Sequence, residues 1–150
     1  MADRPSAAAM SGPEALDFWL GDWRCTWEGG EGRNRITREL DDRVVVERFD
    51  SFSPQRWSGL SLSVHRDGAG WRQTWVDSTG NYWAFDGAPL DGGFTFHTVE
   101  LEDGRPVAKR MVFSGIRTDA FEWRWERSDD GGDTWRELWL IHYERAASAP

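Results

Sequence analysis

The chain has 150 residues, a length suited to one domain with a core of its own. A formal net charge of −8, with Lys109 the single lysine, excludes the clustered basic surface that phosphate backbones and anionic membranes require. One cysteine, Cys25, rules out an intramolecular disulfide and any CxxC zinc or redox site.

Residues 1–10 carry an alanine run but no apolar stretch long enough for a secretory h-region. They are expected to form a disordered tail on a cytoplasmic protein. No later stretch approaches the ~20 apolar residues of a membrane helix, so membrane insertion is not expected. Ser11 stands three residues before Glu14, as in a capping box, and Leu16, Trp19 and Leu20 follow at helical spacing. This spacing predicts one short helix over about 12–20, its apolar face turned inward and Gly21 ending it.

From Trp23 onward the pattern has a period of two. Trp23, Cys25 and Trp27 alternate with Arg24, Thr26 and Glu28. Strands are predicted over 33–40, 44–52, 60–64, 71–77, 81–86, 94–102, 107–114 and 121–125, with a last one over 135–144. Gly-, Asp- and Asn-rich turns separate them, and Pro54 and Gly59 bracket a looser connection. About ten short strands at this spacing, with no crossover helix, predict an all-β fold. The expected architecture is a single antiparallel up-and-down barrel over 11–145, one end covered by the short helix, with a tail over 146–150.

Eleven Trp, eight Phe and two Tyr make 14% of the residues aromatic. Each buried aromatic removes roughly 150–250 Å² from water, so the barrel interior is expected to be aromatic. The alternation places Trp27, Trp75, Trp123 and Trp125 on inward faces. In the last strand, burial favours Trp139, Ile141 and Tyr143 inside and His142 outside. Ser128-Asp129-Asp130-Gly131-Gly132-Asp133-Thr134-Trp135 fits the Asp-box pattern, a hairpin-turn device. Cys25 reads as a small buried hydrophobe. Asp77, Arg110 and Arg124 are candidate interior polar groups, Arg124 lying on the polar face of its strand.

The segment Phe18-Trp19-Leu20-Gly21-Asp22-Trp23 resembles the opening of lipocalins, fatty-acid-binding proteins and nitrobindins, the calycin superfamily. Trp75-Val76-Asp77 before a turn glycine, the Asp-Gly-Gly-Asp-Thr-Trp hairpin and the closing Tyr143-x-Arg145 are similar to a bacterial lipocalin-like branch with no assigned function. The resemblance implies that Trp23 plugs one barrel end and that the interior holds a small hydrophobic ligand. It also implies a polar handle for that ligand on Tyr143. Nitrobindins hold haem through a histidine near the end of the last strand, where His142 stands. This chain has Gly21-Asp22-Trp23-Arg24-Cys25 in place of Gly-x-Trp-x-Gly-x-Gly, so no cofactor is expected and His142 remains the minor metal-ligand alternative.

The expected function is binding of a small lipophilic or aromatic molecule by Trp27, Trp75, Trp123, Trp125, Trp139 and Tyr143, with no nucleic-acid partner. Two alternatives stand beside it. One is an isomerase, cyclase or hydrolase using interior Tyr, His or Arg groups. The other is a filled barrel with a structural or partner-binding role.

Overall fold

Ten strands follow a single 3-10 turn in the computed structural model, which describes residues 11–147. The expected tail over 1–10, and positions 148–150 of the other, lie outside the described residues. The strands are β1 (Gly21–Trp27), β2 (Gly30–Glu39), β3 (Val44–Ser53), β4 (Trp57–Arg66) and β5 (Gly70–Asp77). They continue as β6 (Tyr82–Leu90), β7 (Gly93–Glu102), β8 (Arg105–Ser114), β9 (Ala120–Ser128) and β10 (Arg136–Arg145). Each pairs antiparallel with its neighbours in sequence, and β1 pairs with β10, so the sheet closes into an up-and-down barrel. Closure gives every strand two partners and leaves no exposed edge.

Local chemistry explains the meander. Asp91-Gly92 and Asp103-Gly104 join β6 to β7 and β7 to β8 with positive φ at both residues, the geometry of a two-residue hairpin turn. Along each strand the side chains alternate between interior and surface. Gly59 is not part of a loop: it lies inside β4, opposite Phe49 and Asp77. A Cβ there would overlap the Trp75 indole, so the glycine lets that ring lie against β4.

The N-terminal segment corrects the expected helix. Asp17–Trp19 forms a 3-10 turn with no side-chain cap. The preceding residues are turns, with Ala15 N–H donating to Gly12 O at 3.1 Å and Asp17 N–H to Glu14 O at 3.0 Å. A stretch this short cannot meet the nucleation cost of an α-helix, and tertiary burial sets its form instead. In 3-10 geometry residues three apart share one face, which suits Leu16 and Trp19. Both are buried in the core, whereas Leu20 is half-buried against it. The segment closes one end of the barrel: Trp19 packs edge-on to Phe113 at 5.3 Å, and Trp71 Nε1 donates to Gly12 O at 3.0 Å.

Trp23 lies above this plug and donates from Nε1 to Trp19 O at 2.7 Å. Arg145, at the end of β10, stacks on Trp23 at 4.2 Å and donates to Leu20 O at 2.8 Å and Thr118 O at 3.0 Å. This half of the interior is filled by Trp19, Trp23, Phe94, Phe96, Phe113 and Phe121, all buried. The tryptophans at the opposite end are only half-buried.

The last strand also departs from simple alternation. A register shift between Glu137 and Trp139 places a bulge at Leu138. Trp139, Ile141 and Tyr143 pair with Trp125, Trp123 and Phe121 and face inward, as burial predicted, while His142 is exposed. Glu137 pairs with Glu126 on the outer face, and Trp135 precedes the strand. Trp135 therefore does not continue the inner face; it packs outside, with the Arg110 guanidinium 3.9 Å over its ring.

Candidate functional site

The end of the barrel opposite the plug contains a cavity of about 210 Å³. Six indoles form most of its wall, from Trp57, Trp75, Trp83, Trp123, Trp125 and Trp139, together with Phe49, Phe85, Met111 and Ile141. The rings brace one another. Trp57 meets Trp75 at 6.4 Å and Trp139 at 6.1 Å, Trp123 meets Trp139 at 5.6 Å, and Trp83 meets Trp125 at 5.5 Å. An indole combines a large apolar face with a polar edge, which suits a wall between core and mouth.

Polar groups enter this apolar space at Glu47, Tyr143, Asp77 and Asn81. Glu47 projects from β3 into the interior and is only 7% exposed. Its two oxygens accept from Ser61 Oγ of β4 and Asn34 Nδ2 of β2, both at 2.7 Å. The same Asn34 amide donates to the Tyr143 hydroxyl at 2.9 Å, which joins β10 to the network. Cys25 of β1 sits beside Tyr143 on the closing ladder.

Burial sets the proton affinities here. It pushes the Glu47 carboxyl above the ordinary glutamate value, and the bonds from Asn34 and Ser61 offset only part of the rise. Burial also raises Tyr143, with the Cys25 and Glu47 charges acting in the same direction. The Cys25 thiol is raised by burial as well, so it is not a reactive thiolate. Asn34 Oδ1 is buried without a partner, one of three such side-chain atoms among the described residues.

The mouth is organised by Asp77. Partial burial pushes its carboxyl up, but bonds from Thr79, Trp75 and Asn81 outweigh this and bring it down to about 2. Trp75 Nε1 donates to Asp77 Oδ2 at 2.9 Å, so the loop after β5 and a cavity wall are held by one side chain.

Of the residues expected to line the interior, Trp75, Trp123, Trp125, Trp139 and Tyr143 border the cavity. Trp27 stands behind its wall, against Trp139 at 5.1 Å, with its indole lying over Gly30 and Gly32 of β2. His142 lies on the outer face, its Nδ1 3.8 Å from Glu122 Oε1. Arg110 and Arg124 are not interior groups. Arg110 pairs outside with Glu126 at 2.8 Å, and Arg124 pairs with Glu122 and with Glu137 at 3.1 Å. Glu47, Asn34 and Ser61 were not singled out by sequence. The signal was available, because Val45, Glu47 and Phe49 share one strand face and a carboxylate interrupts its apolar run.

The Asp-box segment is a hairpin turn. Ser128 Oγ accepts from Gly132 N–H at 2.9 Å, Asp130 Oδ1 accepts from Thr134 N–H at 2.9 Å, and Gly131 and Gly132 take positive φ. Among the described residues, no group of three or more His, Cys, Asp or Glu side chains is placed to hold a metal ion. No helix among them is long and apolar enough to cross a membrane. Compared with protein-family models and with curated protein sequences, the chain matches none.

Proposed function

We propose that this chain is a calycin-like binding module that holds a small, largely apolar or aromatic molecule in the Trp-lined end of its barrel. The observation that carries the reading is the cavity itself: about 210 Å³, walled by six indoles, with a few polar groups at fixed positions. Binding sites for small molecules have this composition, apolar walls with a small number of placed polar groups. The volume also bounds the ligand. A cavity of about 150 Å³ accepts benzene, so this one encloses a single-ring molecule. The outer face carries ion pairs such as Arg24–Glu144, Arg35–Asp22 and Arg72–Asp86, a surface made for water rather than lipid. His142 points away from the cavity, which supports a role without haem.

Titration with single- and double-ring aromatic compounds, followed by intrinsic Trp fluorescence, tests the proposal. Saturable quenching that weakens in Trp139→Ala is expected. Quenching that rises linearly with every compound would favour a barrel without a site.

A second reading is an enzyme acting on the same small molecule. It is favoured by Glu47 and Tyr143, two ionisable groups bordering one cavity and bridged by Asn34. In that case Glu47 would move a proton on the bound molecule, and Glu47→Gln would abolish turnover while leaving binding of apolar ligands in place.

A further inference from the structure

The cavity lining is chemically one-sided. Among the described residues, its ionisable groups are Glu47, Asp77 and Tyr143, and no Lys, Arg or His borders it. Six indoles line it, and the face of an indole ring carries negative electrostatic potential that attracts cations. Among the described residues, only one of the six has a cation partner: Trp83, with Lys109 Nζ at 4.9 Å. Each Glu47 oxygen accepts one bond inside the protein, and a carboxylate oxygen has room for two. A ligand carboxylate would meet Asp77 as a like charge, and a neutral donor would gain burial and a hydrogen bond without the charge attraction.

We propose that the cavity selects a small organic cation: an ammonium group on an apolar or aromatic body, held between Glu47 and the indole faces. The proposal rests on the ligand-binding reading above and names the chemical class of the ligand. It sets this barrel apart from one that binds fatty acids, whose anionic head needs a cationic or neutral donor. Scaled from the benzene-sized cavity, the space takes about eight non-hydrogen atoms, the size of a phenylmethylammonium ion. The whole-chain charge of −8 acts in the same sense by concentrating cations at the mouth.

A bound cation drives Glu47 to ionise, so binding releases a proton wherever that carboxyl starts protonated. The groups around it leave the assignment clear. Asn34 from β2 and Ser61 from β4 carry no charge, and Tyr143 from β10 and Cys25 from β1 are raised and stay neutral. Asp77, at about 2, is already ionised.

The test is calorimetric titration of the full chain near neutral pH with benzylamine, benzyl alcohol and benzoate, three probes of nearly one shape and three charges. Benzylamine is expected to bind about tenfold or more tightly than benzyl alcohol, with benzoate weakest. Glu47→Gln should remove most of the advantage of benzylamine over benzyl alcohol. If benzyl alcohol or benzoate binds the native chain as tightly as benzylamine, cation selection is overturned and the apolar-ligand reading stands. If none of the three saturates, cation selection is overturned, and the fluorescence titration above decides the ligand-binding reading separately. A benzylamine preference undiminished in Glu47→Gln overturns the role of Glu47. The native-chain comparison decides selection even where the variant fails to fold.

Discussion

Glu47 couples the stability of the barrel to pH. A carboxyl in an apolar interior is disfavoured in its charged form, and two donated bonds reduce that penalty without removing it. Its folded-state proton affinity is raised above the unfolded value, so the folded chain holds the proton more tightly. The associated stability is fully present below the ordinary glutamate value of 4.5 and is lost as pH rises through the higher folded value. Urea unfolding of the native chain and of Glu47→Gln across this range should show the native chain losing stability relative to the variant as pH rises. The slope should not exceed about 1.4 kcal/mol per pH unit, the limit for one proton. Parallel pH profiles would mean that Glu47 ionises as freely as in the unfolded chain. Sequence placed Tyr143 and Cys25 inside, but not their shared network with Glu47, because its members come from five neighbouring strands, β10, β1, β2, β3 and β4, and meet only once those strands pair.

At the scale of elements, the N-terminal segment contributes packing rather than helical hydrogen bonding. Trp19 is 1% exposed and Leu16 is 0% exposed, while the backbone supplies a few turn bonds. Trp19→Ala is therefore expected to destabilise the whole domain. Truncation of a buried Trp costs about 3–5 kcal/mol. The lower end applies here, because Trp19 Nε1 is buried without a partner and its removal relieves that penalty. Chemical denaturation measures this directly. A loss under about 1 kcal/mol would mean that the segment detaches without cost to the barrel. The i, i+3 spacing of Leu16 and Trp19 fits both helix types, so sequence located the buried face and missed the winding. In the last strand the bulge at Leu138 breaks the parity that sequence alternation assumes. It turns Glu137 outward while Trp139 stays inside.

Over the whole molecule, the barrel divides into a plugged half packed mainly with phenylalanines and an open half walled with tryptophans. Arg145 secures the plugged half where β1 meets β10. It stacks on Trp23 and donates to carbonyls of the N-terminal segment and of the loop after β8. Lysine keeps the charge but cannot both stack a planar group and fork to two carbonyls. Arg145→Lys is expected to lower global stability by about 1–2 kcal/mol. It should leave ligand binding at the other end unchanged, since Arg145 does not border the cavity. Thermal unfolding and fluorescence titration of the same variant check both halves of this statement. A native melting temperature would show that the β1–β10 ladder closes the barrel without it.

Sequence by itself determined what is written in neighbouring residues: the ten-strand meander, the Asp-Gly turns, the Asp-box hairpin and the inward face of Trp139, Ile141 and Tyr143. Each follows from period-two alternation or from turn chemistry spanning a few positions. The tertiary structure alone decided the rest. Closure through β1 and β10 joins residues more than a hundred positions apart, such as Arg24 and Glu144. Trp27 lies over two glycines of β2 and Trp75 against Gly59 of β4, close approaches set by strands that meet only in the sheet. Glu47 became visible as a site residue for the same reason: strand pairing brings Asn34 of β2 and Ser61 of β4 to it, and the folded sheet sets the indoles around the same cavity.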